Sequence, residues 1–181
     1  GTYFNVHSTA NPGGEVRGQI TYAATSGSGG GLLNDMGTVT VTNTSITGNS
    51  ASRAGGGIET NVGSVTLTNV NLDNNIAGPA GAANPGNGGG LHVTGGGDVN
   101  INGGTVSGNT AGREGGGLWN GSGVMTITNG TTINANTASG PAADDGGGGI
   151  FNNGGTLTID GSASLVTISN NVAGGTSGSG G

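Results

Sequence analysis

The chain has 181 residues, of which 46 are Gly and 7% are charged; it has no Cys and no Lys, and Arg17, Arg53 and Arg113 face nine acidic residues, for a net charge of −6. That balance excludes nucleic acid as a partner, since a phosphate-binding groove needs clustered bases, and it excludes disulfides and thiolate metal sites. No apolar run approaches the roughly 18 residues of a membrane span, and this much Gly would destabilise a compact globule unless its placement were regular.

Residues 1–24 form the first segment. Tyr3-Phe4-Asn5-Val6-His7-Ser8 is followed by Asn11-Pro12-Gly13-Gly14 and then Glu15-Val16-Arg17-Gly18-Gln19-Ile20. These residues resemble the closing hairpin of a CHRD (chordin-type) domain. Such a hairpin is marginal in water by itself. Tyr3, Phe4, Val6, Val16 and Ile20 are therefore expected to dock on a partner surface, in this subunit or the next.

Residues 25–181 are repetitive. Gly-Gly-Gly followed by Leu or Ile begins at Gly29, Gly55, Gly88, Gly115 and Gly147, and each copy closes on an aliphatic-x-x-Asn-x-Ala signature. A fixed period of this length predicts a solenoid in which each coil buries its apolar face against its neighbours. In the second copy, Ile58 is followed by a turn at Asn61-Val62-Gly63, an alternating run Ser64–Thr68, a turn near Asn69, and Val70-Asn71-Leu72 leading to Asn75. Three short strands separated by Asn/Gly turns make one rung, and rungs about 4.8 Å apart pair in parallel. The expected fold is all-β, a parallel β-helix of about five coils.

Aligning the copies gives four inward columns. Leu32, Ile58, Leu91, Leu118 and Ile150 form the first. Val39, Val65, Val99, Met125 and Leu157 form the second; Val41, Leu67, Ile101, Ile127 and Ile159 the third; Ile46, Leu72, Val106, Ile133 and Ile168 the fourth. Asn49, Asn75, Asn109, Asn136 and Asn171 hold a fixed offset from the last column. They are expected to turn inward as an amide ladder, the amide oxygen of each accepting from the next coil. The Gly triplet marks re-entry into the first strand, where positive φ and close backbone approach are needed. From each ladder Asn to the next triplet the offset is 6, 13, 6 and 11 residues. Two long loops, Gly78 to Asn87 and Ser139 to Gly146, are thus expected two coils apart.

The pairing of Gly-Gly-x-Ile/Leu with aliphatic-x-x-Asn over residues 29–173 resembles the repeat of the polymorphic outer-membrane protein family and related surface β-helices, with Gly in place of that family's Ala and Ile/Leu/Val in place of its Phe. The resemblance implies a right-handed coil and a secreted or cell-surface protein.

A search for chemistry returns little. The carboxylates scatter over different coil phases, and Asp144-Asp145 reads as solvated loop. No catalytic residue, metal ligand or cofactor is expected, and the sequence does not read as an enzyme. Leu33, Glu59, His92, Trp119 and Phe151 form the column next to the first inward one. His92, Trp119 and Phe151 with Leu33 are expected to make an exposed contact stripe, either stacking on a surface glycan or lying under another segment or subunit. Asn43, Asn120 and Asn129 fit the N-glycosylation pattern. The sequence ends in Thr176-Ser177-Gly178-Ser179-Gly180-Gly181, which repeats Thr25-Ser26-Gly27-Ser28-Gly29-Gly30, so another molecule's first coil is expected to follow. The resulting expectation is an extracellular fibre subunit that partners itself head to tail, the N-terminal segment bridging the joint. A cell-surface adhesin that binds glycan is the alternative.

Overall fold

Runs such as Thr38–Thr42 are too short to close a sheet among themselves and gain stability only by pairing with their counterparts one repeat later. That pairing builds the molecule in the computed structural model, which describes residues 2–6, 16–20, 27–78 and 86–174. The first sheet stacks Leu32–Asn34, Ile58–Thr60, Leu91–Val93, Leu118–Asn120 and Ile150–Asn152 in parallel. The second holds the middle of each coil, from Thr38–Thr42 through Ser64–Asp73, Asp98–Ser107 and Val124–Thr128 to Thr156–Asp160. The third is built from two-residue strands: Ser50–Ala51, Ile76–Ala77, Thr110–Ala111, Thr137–Ala138 and Val172–Ala173. The result is an all-β parallel β-helix of five coils.

The strand count departs from three per coil. The first, fourth and fifth coils have four segments, because Ser45–Thr47, Thr132–Asn134 and Thr167–Ser169 are separate from the preceding strand. In the second and third coils those two legs fuse into ten-residue strands that belong to the same sheet. The bend between the legs is carried by Asn43, Asn69 and Asn129 at φ of 50°, 51° and 53°, a left-handed conformation that Asn tolerates. The two-residue strand after the ladder Asn is too short to show strand alternation, and only its Ala marks it in the repeat.

The inward columns are in register, and in the three middle coils they are fully buried: Ile58, Leu67, Leu72, Leu91, Leu118, Met125, Ile127 and Ile133 have almost no solvent exposure. Close rung packing requires Gly at re-entry. A Cβ on Gly89 would stand 2.2 Å from the Gly116 carbonyl oxygen, and Gly88 has φ of +64°.

The Asn side chains at the fourth corner bond every coil to the next. Asn75 Oδ1 accepts from both the main-chain N–H and the Nδ2 of Asn49, each at 3.0 Å. Asn109, Asn136 and Asn171 accept in the same way from Asn75, Asn109 and Asn136. The amide oxygens thus accept from the preceding coil, the reverse of the expected direction. The second Nδ2 hydrogen goes to the carbonyl of the aliphatic residue one coil earlier: Asn75 to Ile46, Asn109 to Leu72, Asn136 to Val106 and Asn171 to Ile133. That bond accounts for the fixed aliphatic-x-x-Asn spacing. The residue before each Asn is left-handed, at Gly48, Asn74, Gly108, Ala135 and Asn170, and this turns the amide inward.

At the N-terminus, Thr2–Val6 and Val16–Ile20 pair antiparallel from Thr2↔Ile20 to Val6↔Val16. The roles expected of the side chains of Tyr3, Phe4, Val6, Val16 and Ile20 lie outside the described residues, as do most of the first long loop (79–85) and the closing residues 175–181.

The ladder corner can be tested at two positions. Asn109→Ala removes an acceptor from the Asn75 N–H and amide and a donor from the Leu72 carbonyl, all buried, and is expected to cost about 3 kcal/mol in denaturant unfolding; Asn49→Ala, at the end of the ladder, should cost under about 1 kcal/mol. Equal losses would contradict the ladder. Ala135 has a φ of 54°, so Ala135→Gly should stabilise the fold by about 0.5–1 kcal/mol, whereas a fall in Tm would show that the position carries no strain.

Candidate functional site

A buried polar and aromatic cluster runs along the first sheet, in the column next to the inward Leu/Ile one. Parallel register stacks Leu33, Glu59, His92, Trp119 and Phe151 on consecutive coils. The His92 and Trp119 rings stack at 4.2 Å with planes 16° apart, and Trp119 and Phe151 lie at 6.4 Å and 4°. His92 Nδ1 meets Glu59 Oε2 at 2.9 Å, and the Thr94 hydroxyl bonds to the other oxygen of Glu59 while lying 3.1 Å from His92 Nδ1. His92 Nδ1 and the Thr94 hydroxyl thus both face the Glu59 carboxyl, and His92 Nε2 is buried without a hydrogen-bond partner among the described residues.

A second group adjoins the first. Trp119 Nε1 and Asn87 Nδ2 both donate to Glu114 Oε2, at 2.9 and 3.1 Å. Arg113 Nε donates to Asp145 Oδ1 at 2.7 Å, and Ala142 N–H donates to Asp145 Oδ2 at 2.9 Å. Burial of Asp145 opposes its ionisation and is the largest single effect, but the Arg113 hydrogen bond, the Ala142 N–H and the guanidinium charge together outweigh it and hold the carboxyl below the usual range.

These contacts correct three expectations. The aromatic column is closed where it was expected to be open. His92 is 2% and Trp119 8% exposed, while Leu33 at 59% and the half-buried Phe151 keep access at the two ends. Rung spacing lets each planar group cover the face of the next, and His92 Nδ1 and Trp119 Nε1 meet the carboxyl groups of Glu59 and Glu114. Asn120 is fully buried, with Nδ2 committed to Gly123 O, Asn152 Oδ1 and Thr156 O, so it presents no acceptor for a glycan; Asn43 and Asn129 are exposed. Asp145 is 1% exposed and paired, not solvated.

Sequence placed Glu59 in the aromatic column but gave it no role, and Thr94, Asn87, Glu114 and Arg113 were not singled out. Their one signal was positional. Asn87 and Glu114 occupy the column just before the Gly triplet, whose other members are Ser28, Ala54 and Gly146, so they stack on each other.

The cluster does not have the geometry of nucleophilic catalysis. In a hydroxyl–imidazole–carboxylate triad the hydroxyl meets one ring nitrogen and the carboxylate the other; here Thr94 and Glu59 both lie at Nδ1. An open cleft of about 390 Å³ beside it is lined by Ser28, Leu33, Asp35, Arg53, Glu59, Asn61 and Thr94. Its polar groups pair among themselves, Arg53 Nη1 with Ser28 Oγ at 3.1 Å and Asn61 Nδ2 with Asp35 Oδ1 at 3.1 Å. Among the described residues no group of three His, Asp or Glu side chains is placed to hold a metal ion, and no helix is long and apolar enough to cross a membrane.

The Arg113–Asp145 bond ties the fourth coil to the loop ahead of the fifth. Asp145 has a lowered folded-state pKa, so its contribution is complete above the unfolded-state value and disappears as pH falls through the folded one. Asp145→Asn is therefore expected to cost about 1–2 kcal/mol at neutral pH, a figure reduced for the partial exposure of Arg113. The gap from wild type should close in strongly acid solution, and a gap independent of pH would contradict the assignment.

Comparison with known proteins finds one family: the CHRD domain matches over residues 1–20. No curated protein and no solved structure matches the chain. The match covers the hairpin and none of the coils.

Proposed function

We propose that this chain is an extracellular structural protein, a subunit that builds a fibre by stacking its coils head to tail, with the N-terminal hairpin bridging the joint. The observation that carries this reading is that the bonds joining one coil to the next repeat unchanged and end in matched halves. Leu32, Ile58, Leu91 and Leu118 each donate N–H to the carbonyl of the third triplet Gly in the following coil, at 3.0, 2.9, 3.0 and 2.9 Å. Among the described residues the series leaves the Ile150 N–H at one end and the Gly31 carbonyl at the other. The ladder likewise leaves the Asn171 N–H and the Asn49 Oδ1. The series from Ile76 to Asn49 through Val172 to Asn136 leaves the Ser50 N–H and the Asn171 carbonyl.

The apolar columns agree. Ile159 and Ile168 in the last coil are 42% and 48% exposed, and Val39, Val41 and Ile46 in the first are half-buried, whereas their counterparts between are closed. A second copy in the same register would set Ile168 on Ile46 and Ile159 on Val41, covering both. Heterologous contacts of this kind propagate without closing. Extracellular placement is supported by the motif resemblance to surface β-helix proteins. The glycan-binding alternative loses its main support because His92 and Trp119 are enclosed.

Electron microscopy of the purified protein tests the reading. Filaments with an axial rise of about 24 Å per subunit are expected, five rungs of roughly 4.8 Å each. Ile168→Asp should abolish them without lowering the monomer's Tm, and removal of residues 1–24 should weaken them. Monodisperse monomers at high concentration would overturn the proposal.

A further inference from the structure

Five Asn–Gly steps occur, at Asn87, Asn102, Asn120, Asn129 and Asn153. At such a step the main-chain nitrogen of Gly can attack Cγ of the Asn amide, because no Gly side chain hinders the approach. Attack requires a nitrogen whose hydrogen is not held and an amide free to rotate. Four of the five steps fail both requirements. The N–H groups of Gly88, Gly121 and Gly130 donate to the carbonyls of Glu114, Val93 and Ser164, each at 3.0 Å. The Gly103 N–H donates to Thr131 Oγ1 at 3.0 Å. Asn87 and Asn120 are buried with their amides bonded, and Asn129 Nδ2 is held by Asn102 Oδ1 at 2.6 Å, which fixes both of those side chains.

Asn153 differs in every respect. It is exposed, its side chain makes no hydrogen bond among the described residues, and the Gly154 N–H is equally free. Gly154 has φ of +89°, and nothing lies within 4 Å of where its Cβ would be. The geometry points to Asn153–Gly154 as a self-modifying site, at which spontaneous deamidation introduces a negative charge into the last coil. The Gly154 nitrogen bonds to Asn153 Cγ and gives up its proton. The Cγ–Nδ2 bond breaks and its nitrogen leaves as ammonia. Water then opens the succinimide at one carbonyl or the other, leaving aspartate or isoaspartate.

The consequence rests on the head-to-tail reading above. Register pairs Asn61 with Asp35 across the first two coils, amide to carboxylate at 3.1 Å. Asn153 is the equivalent of Asn61 in the fifth coil, so a stacked copy places its Asp35 beside Asn153. Deamidation replaces that amide with a carboxylate facing a carboxylate, and the joint weakens as the protein ages.

Peptide mapping by mass spectrometry, on the full-length protein held in mildly alkaline buffer, tests the modification whether or not filaments form. Asn153 should convert about tenfold faster than each of the other four, and Asn153→Gln should remove the product. Equal conversion at the five sites, or none at Asn153, would overturn the site. For the joint, Asn153→Asp should reduce filament yield at unchanged Tm, and adding Asp35→Asn should restore it. Wild-type assembly by Asn153→Asp would overturn the charge effect alone, and wild type that forms no filaments would overturn the stacking reading while leaving the mapping result intact.

Discussion

Among the described residues, almost every main-chain hydrogen bond of this protein runs from one coil to the coil beside it, at one register. That constraint governs the sequence. It sets the rung spacing, which admits no Cβ at Gly89 because the Gly116 carbonyl already occupies the space. It stacks like residues on like, so an aliphatic position in one coil fixes an aliphatic position in the next. At the ladder corner it uses the Asn amide in full: the oxygen takes two donors from one side, and the nitrogen gives one hydrogen to each side. An amide so placed satisfies buried backbone groups that a turn would otherwise leave unpaired.

Period and alternation made the columns legible, because a solenoid repeats its packing environment at every coil. What the sequence hid was whatever is too short to alternate or depends on one coil alone. The third sheet rests on strands of two residues, marked in the repeat only by their Ala. In the fifth coil, residues 161–166 widen a bend that takes two residues in the first coil and three in the fourth. Val93 replaces the polar residue that Asn34, Thr60, Asn120 and Asn152 supply in that column, and Asn120 Oδ1 is left without a partner among the described residues.

The outer cluster was half legible for a similar reason. Stacking of Glu59, His92, Trp119 and Phe151 follows from register and was readable. Burial was not, because it arises from bonds between columns: Trp119 with Glu114, Glu114 with Asn87, and Arg113 across to Asp145 in a loop of irregular length. An adjacent Asp pair looked solvated until the fold brought a guanidinium to one member.

The same constraint that builds the interior defines the two ends. Among the described residues, the first and last coils carry complementary halves of one bonding pattern, and the proposal stands on those halves meeting between molecules. Amide hydrogen exchange at increasing protein concentration tests this most directly. Stacking predicts that Ser50, Ile150 and Asn171 slow to the exchange rates of their interior counterparts Ile76, Leu118 and Asn136 as concentration rises. Fast exchange at those three amides at every concentration would contradict it.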